Sequence, residues 1–358
     1  MIYYGFHTKT NELKHHPTNR PSSKSHNFFA VAILFLMFLF LVSCSTKNSK
    51  TITNFTAMDT FMTIQSYGKN SRKANELAKK KVLELENLLS VTNAQSEVYF
   101  LNHNQQKWHT VNPETYEIIN FSLQMAQFTD GTFNPCLYPV LKEWGFTTEN
   151  FKIPSKKLIE QLLPFTDFTK LELNKEETAA FFPEEMMIDL GGIGKGFAGD
   201  KVLEILKENG ITSAILDFGG NIQTLGKKPD GSEWKIGIKN PLTKEIAASV
   251  QVDNMSVITS GGYERNFTGQ DGKQYIHILD SRTGFPVDND LASVTIICPE
   301  GKYADALSTA VFAMGLEKAK NFWQTNQTFE MLIFTKDGET YLSDGLRKKV
   351  IFLEPEKQ

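Results

Sequence analysis

Along residues 70–90 the apolar positions Ala74, Leu77, Ala78, Val82, Leu85 and Leu89 fall on one stripe with lysines opposite, predicting an amphipathic helix with a solvated basic face. Residues 55–67, just before it, have strand character. Asn112 and Pro113 supply a cap and a first-turn proline for a second helix ending near Asp130 and Gly131, and residues 155–163 predict a short third. At residue 186 the pattern changes. An apolar strand ends in Asp189, glycines follow at 191, 192, 194 and 196 around Lys195, and Val202, Leu203, Ile205 and Leu206 set up a helix. Short strands then predominate, at 212–218, 234–239, 247–252, 256–259, 274–279 and 292–297. Helical patterns at 302–314 and 316–324 precede a last strand at 329–335. Runs of neighbouring strands flanked by helices argue for an α+β fold rather than strict βα alternation. No linker cleanly divides the chain.

The N-terminal pattern is of another kind. Lys9, Lys14, Arg20 and Lys24 precede an unbroken apolar run from Phe28 to Val42, followed by Ser43, Cys44 and Ser45. The run is shorter than the roughly 18 to 20 residues of a spanning helix, so it reads as the apolar region of a signal peptide. Leu41 to Cys44 looks like a bacterial lipobox, cleaved before Cys44, which is then lipidated; the alternative is an uncleaved signal anchor. The expected organisation is a signal peptide over 1–43, a lipidated cysteine and polar tether over 44–51, and a globular domain over 52–353. That domain would sit outside the inner membrane, anchored and facing the periplasm.

About 310 residues remain after the tether, enough for a sizeable core. The formal net charge of the 358-residue chain is -3 and no basic block lies outside the signal, which argues against nucleic acid as a partner. Besides Cys44 there are only Cys136 and Cys298. A disulfide between them stays open, but two cysteines make no disulfide framework.

Several clusters carry candidate chemistry. The glycine segment lets bare backbone N–H groups approach an anion at the positive end of a helix. It is not a Walker loop, since Gly196 stands where Ser or Thr should follow the lysine, and it lacks the dinucleotide-binding spacing. Read alone, it is either a phosphate cradle or a tight structural turn. His277 lies on one face of a predicted strand just before a polar turn with Asp280 and Arg282, where it is either structural or a proton carrier. Asp305 and Thr309 are i and i+4 on a predicted helix, so carboxylate and hydroxyl point the same way. Such hard oxygens suit Mg²⁺; equally, Asp favours a helix N-terminus and Thr bonds back to the i−4 carbonyl.

Taken in order, these segments resemble one family, the ApbE-type FAD:protein FMN transferases. The matching pieces are Met58 to Thr60, Ser90 through Ser96 and Glu97, Leu101 and Asn102, 130–135 with Trp144 to Phe146, 189–200, 217–221, 259–263, 277–284 and 304–309. Departures stand at Asp59, where glycine is more usual, at Gly194, where alanine is common, and near Thr92, where an aromatic residue seen in many members is replaced.

The resemblance implies an α+β, ApbE-like (T-fold-related) architecture of mixed sheets and packed helices in a single large two-lobed domain. It implies cleavage of the FAD pyrophosphate and transfer of FMN to a threonine or serine hydroxyl of an acceptor flavoprotein as a phosphoester, with release of AMP. Mg²⁺ would be held by Asp305, Thr309 and the carbonyl at Gly194. Met58, Asp189, Lys195 and Ile278 would face FAD, Thr132, Phe133 and Asn134 would line the nucleotide pocket, and His277 would deprotonate the acceptor. Partners would be FAD, the membrane through acylated Cys44, and membrane redox-complex subunits carrying the acceptor residue. An Mg-dependent FAD pyrophosphatase and a non-catalytic flavin-binding lipoprotein are the competing readings.

Overall fold

The computed structural model describes residues 49–353; the signal segment, Cys44 and most of the tether lie outside them. The chain begins as a hairpin of β1 (Lys50–Ala57) and β2 (Thr60–Tyr67), where the sequence predicts one strand over 55–67. It reverses at Met58 and Asp59, whose φ angles of 48° and 58° are the left-handed pair that a two-residue hairpin turn demands. Neither residue is the glycine or asparagine that signals such a turn, so the strand pattern runs through it unbroken.

The first helix, α1 (Ser71–Leu89), packs over this hairpin. Ala74, Ala78, Val82, Leu85 and Leu89 are buried as expected, but Leu77 is 41% exposed. Ser71 and Asn75 are buried instead because the hairpin is polar on this face: Ser71 pairs with Thr51 at 2.5 Å, Ser66 donates to the Asn75 amide at 2.6 Å, and Asn75 donates to the Ile64 carbonyl at 3.1 Å.

There follow α2 (Glu97–His103), β3 (Trp108–Thr110), α3 (Pro113–Phe128), α4 (Tyr138–Trp144), α5 (Lys156–Leu162), β4 (Glu172–Asn174) and β5 (Ala179–Phe181). Next come α6 (Gly191–Glu208), β6 (Ser213–Phe218), β7 (Asn221–Leu225), β8 (Trp234–Lys239), β9 (Ile246–Val252), β10 (Ser256–Gly261), β11 (Asn266–Thr268) and β12 (Gln274–Ile276). The chain closes with β13 (Leu291–Cys298), α7 (Gly301–Met314), α8 (Leu316–Asn326), β14 (Glu330–Thr335), β15 (Thr340–Leu342) and β16 (Val350–Phe352). The expected α+β class holds.

The frame is an eight-stranded antiparallel sheet in the order β1-β2-β6-β7-β10-β13-β14-β15. Alternate side chains of its strands enter two different cores, as the two-residue period requires. Leu216, Phe218, Ile258, Ile296, Met331 and Ile333 join the core of α1, α6 and α7. Ile215, Val257, Ile297, Leu332 and Phe334 join Trp234, Ile236 and Val250 of the three-stranded sheet β16-β9-β8. The result is three layers: helices, large sheet, small sheet. A third cluster of Val140, Trp144, Phe146, Ile159 and Leu279 fastens α4 and α5 to the turn after His277. Trp144 donates its indole N–H to the Gly284 carbonyl at 2.9 Å. Gly284 has φ +71°, and a Cβ there would lie 2.5 Å from Ile159, so the turn needs glycine.

Two local expectations change. Residues 186–190 form no ladder strand; side chains of α2 and of the turn just after it satisfy their backbone instead. Asn102 accepts from Ile188 N at 2.8 Å and donates to Ile188 O at 2.9 Å, while Gln105 donates to the Met186 carbonyl at 2.6 Å. The strand predicted over 274–279 stops at Ile276, because its partner β11 is three residues long. His277 therefore lies just beyond the ladder.

Candidate functional site

The site grows from the junction of α6 and α7. The glycines predicted to form a turn lie inside α6, which begins at Gly191. Leu190 gives no side-chain cap; Asp189 instead accepts from Gly191 N at 2.5 Å. Gly196 allows α7 to approach: a Cβ there would stand 2.2 Å from the Gly301 carbonyl oxygen and 2.8 Å from Asp305 Cβ. Gly194 is open, with nothing within 4 Å of the place a Cβ would take.

Across this contact Asp305, only 4% exposed, accepts from Gly196 N through Oδ2 at 2.8 Å. Its Oδ1 has no hydrogen-bond partner among the described residues. Thr309, one turn further along α7, lies 3.5 Å from the Ser260 hydroxyl and 3.6 Å from the Cβ position of Gly192. Phe133 closes the floor, its ring edge 3.3 Å from that same position.

A second group surrounds His277. Its backbone N–H and its Nδ1 both meet the Arg265 carbonyl, at 3.1 and 3.0 Å. A carbonyl only accepts, so Nδ1 carries the proton and Nε2 is left as the basic nitrogen. Burial pulls the imidazole pKa down to about 4, with the positive charges of Arg265 and Lys195 acting in the same direction. Asp189 is pushed the other way: burial raises its pKa against the Gly191 N–H, Arg265 and Lys195. The shared influence of Arg265 and Lys195 places Asp189 and His277 in one electrostatic neighbourhood. Arg265 also pairs with Asp59 at 3.1 Å, bringing the β1–β2 turn and Met58 to the same rim. Met58 N donates to Glu86 at 2.6 Å.

Thr132, Phe133 and Asn134 are held beside the His277 turn by Ser281, which donates to the Gly131 carbonyl at 2.6 Å. Asn134 uses both ends of its amide on backbone, accepting from Cys136 N in its own loop and donating to Thr166 O in the turn after α5, both at 2.9 Å. Its contribution is the shape of that loop. Ile278 is buried in the main core, and its carbonyl accepts from Val287 N at 2.9 Å.

The α6–α7 junction fits a hard divalent cation. Asp305 Oδ1 is a free carboxylate oxygen, Thr309 adds a neutral hydroxyl, and the space at Gly194 is clear. Among the described residues no three His, Cys, Asp or Glu side chains converge. A site with one carboxylate suits Mg²⁺, which keeps waters and takes substrate phosphates as its remaining ligands.

Three contributors are silent in the sequence. Gln223 donates to Gly196 O at 2.9 Å, and a Cβ at Gly199 or Gly301 would strike its amide at 2.2 or 1.9 Å, so three glycines serve one glutamine. Asp200 accepts from Gly301 N and Lys302 N at 2.7 and 2.9 Å, seating α7; burial raises its pKa to about 6. Arg265 is the third, through its carbonyl and guanidinium. A cavity of about 700 Å³ lies elsewhere, lined by Lys81, Glu84, Ser96, Glu97, Phe100 and Glu114. Its three carboxylates against one lysine are the wrong sign for a pyrophosphate.

The same stretch that builds this site, residues 58–333, matches the ApbE family model. A FAD:protein FMN transferase of Klebsiella pneumoniae (strain 342) is 32% identical over 266 residues, covering 73% of this chain and 82% of that protein. One from Escherichia coli (strain K12) is 28% identical over 335 residues, covering 88% and 94%. The crystal structure of the ApbE protein from Thermotoga maritima superposes with a TM-score of 0.80 at 30% identity, covering 84% of this chain and 99% of that one. On the matched segment, the relatives and the superposition together, the chain belongs to the ApbE family.

Proposed function

We propose that this chain transfers the FMN portion of FAD to a threonine or serine hydroxyl of an acceptor protein and releases AMP. The observation that carries the proposal is Asp305, a buried carboxylate that accepts from Gly196 N of α6 and keeps its other oxygen free beside Thr309; His277 separately presents a neutral imidazole oriented by the Arg265 carbonyl. It stands in a chain whose relatives bear the name FAD:protein FMN transferase.

Asp189 already holds the Gly191 N–H and Leu190 O those of Ile193 and Gly194, so the Gly192 N–H and the Lys195 ammonium are the groups that would face the negative pyrophosphate. Asp305, Thr309 and the Gly194 carbonyl would hold Mg²⁺, which neutralises charge on the transferring phosphoryl group. The Arg265 carbonyl fixes the tautomer of His277, so Nε2 accepts the proton of the acceptor hydroxyl. The oxygen so released forms the new bond to the FMN phosphorus. The anhydride bond breaks, and AMP leaves with the bridging oxygen. Met58, Phe133 and Thr132 bound the flavin nucleotide, and Asp189 keeps the helix start in place. Cys44, acylated, would anchor the enzyme on the periplasmic side of the inner membrane, where membrane-bound redox subunits are the fitting acceptors.

The test mixes purified protein, FAD, Mg²⁺ and a flavoprotein subunit with an accessible threonine, followed by a denaturing gel. A covalently fluorescent acceptor band, lost with EDTA, is expected. Free FMN and AMP with no band across several acceptors would assign the chain instead as an FAD pyrophosphatase.

A further inference from the structure

Ser49, where the described residues begin, and the site lie at opposite ends of the same elements. Ser49 is fastened to Gly68, donating from its hydroxyl to Gly68 O at 2.8 Å and accepting from Gly68 N at 3.0 Å. From that point β1 runs eight residues to the Met58–Asp59 turn, roughly 26 Å at strand rise. Two other elements measure the same span. Asn70, at the start of α1, donates to Asn209 O at the end of α6, so α6 runs from this end to its glycine start over 18 residues, roughly 27 Å. Likewise β6 begins opposite Tyr67 and ends opposite Met62, at the turn entering Gly219. The site rim, with Asp59, Arg265 and the start of α6, is therefore at the far end.

The near end is basic. Lys50, Lys69, Arg72, Lys73 and Lys207 are exposed there, and none makes an ion pair among the described residues. The end of β7 beside them adds Lys227 and Lys228 against Asp230, Glu233 and Asp253, so with Glu76 and Glu208 this end carries seven positive and five negative side chains, an excess of two. Leu77, exposed one turn beyond Lys73, adds an apolar contact. Cys44 precedes Ser49 by five residues, a reach of about 18 Å at full extension. An acyl anchor at Cys44 would hold this end within about two Debye lengths of the lipid headgroups at physiological salt.

We propose that the Lys50, Lys69, Arg72, Lys73 and Lys207 end is a docking surface for anionic lipid headgroups, so that the site opens away from the membrane. The inference rests on the reading of Cys44 as acylated. It has a consequence for the acceptor: its hydroxyl must be displayed roughly 25 Å or more above the headgroup plane, on a projecting segment rather than at a membrane-level loop.

The test uses full-length protein extracted from membranes, its acylation checked by mass, in vesicles of phosphatidylethanolamine and phosphatidylglycerol with a nitroxide headgroup quencher. A dye is placed at Lys69→Cys or at Asp59→Cys; Cys136 and Cys298 are buried and do not compete. Quenching at position 69 should exceed that at position 59 by about fivefold or more, the quencher's reach being short against the span of β1. The preference should vanish in phosphatidylcholine vesicles, in 1 M salt, and when Lys50, Arg72 and Lys73 are changed together to glutamate. Equal quenching at both positions in protein that floats with the anionic vesicles would overturn the orientation alone. Protein without the acyl mass would overturn the anchor and the orientation with it.

Discussion

At the scale of single residues, two glycines two positions apart are under opposite constraints. Gly194 has open space where a side chain would stand, and Gly196 has backbone. Gly194→Ala should raise stability by about 0.4–1 kcal/mol, because a helical alanine loses less backbone entropy than glycine. Gly196→Ala should lower it by about 1–3 kcal/mol or more, since α7 must move to admit the methyl. Thermal unfolding of the two variants tests the pair, and an equal cost for both would refute the packing account. Asp305→Ala should abolish flavin transfer while FAD still binds, whereas Thr309→Ala should cost less, because water replaces a neutral hydroxyl. Transfer assays at graded Mg²⁺ distinguish them, and near-normal transfer by Asp305→Ala would remove the metal site. His277 is neutral above about pH 4, so transfer should hold level from pH 7 to about 5.5, where an ordinary histidine base would already be failing. The same depression means that the unfolded chain takes up a proton on His277 between about pH 6.5 and 4 while the folded one does not. Stability from this group is thus present above 6.5 and lost as pH falls toward 4. His277→Gln should lose less stability than the parent over that interval in denaturant titrations at each pH.

At the scale of elements, the sequence was legible where one period ruled and misleading where side chains replaced backbone partners. The stripe of α1, the capped start of α3 and the strands near 213, 234, 256 and 291 follow their patterns within a residue or two. The β1–β2 turn was hidden because Met58 and Asp59 adopt left-handed angles without the usual turn residues. The segment before α6 looked like a strand because it is extended and apolar, yet its ladder partner is an asparagine side chain. Sequence marks Asn102 only as part of a segment shared with the family; its two bonds to Ile188 appear only in three dimensions. Asn102→Ala would leave a buried N–H and C=O unpaired and should cost about 2–4 kcal/mol, loosening the approach to α6. Asn102→Asp keeps the acceptor but not the donor and should also destabilise. Urea unfolding, read with the KM for FAD, tests this: an unchanged midpoint in Asn102→Ala would show that the extended segment needs no such partner. For the site itself, Asp305 and Thr309 lie one turn apart on α7 as their spacing suggested, while Gln223, Asp200 and Arg265 did not show, because the side-chain partners that reveal them lie 27 to 206 positions away and the Arg265 carbonyl acts through its backbone.

At the scale of the whole molecule, stability must come from its three layers rather than from covalent links. Cys136 and Cys298 are both free and both buried in the main core. Burial pushes the Cys298 thiol up to about 12 and that of Cys136 higher still, so neither forms the thiolate that reacts with disulfides or oxidants at neutral pH. A domain proposed to work in an oxidising compartment is thereby inert to it without a disulfide. Its unfolding midpoint should be the same with and without reductant, since no cross-link constrains the unfolded chain. Native protein extracted from membranes should show no thiol reactive toward an aromatic disulfide reagent, and denatured protein should show two, because Cys44 would be blocked as a thioether. A third thiol would mean that Cys44 is unmodified, and a midpoint that falls on reduction would mean that the two core cysteines are joined.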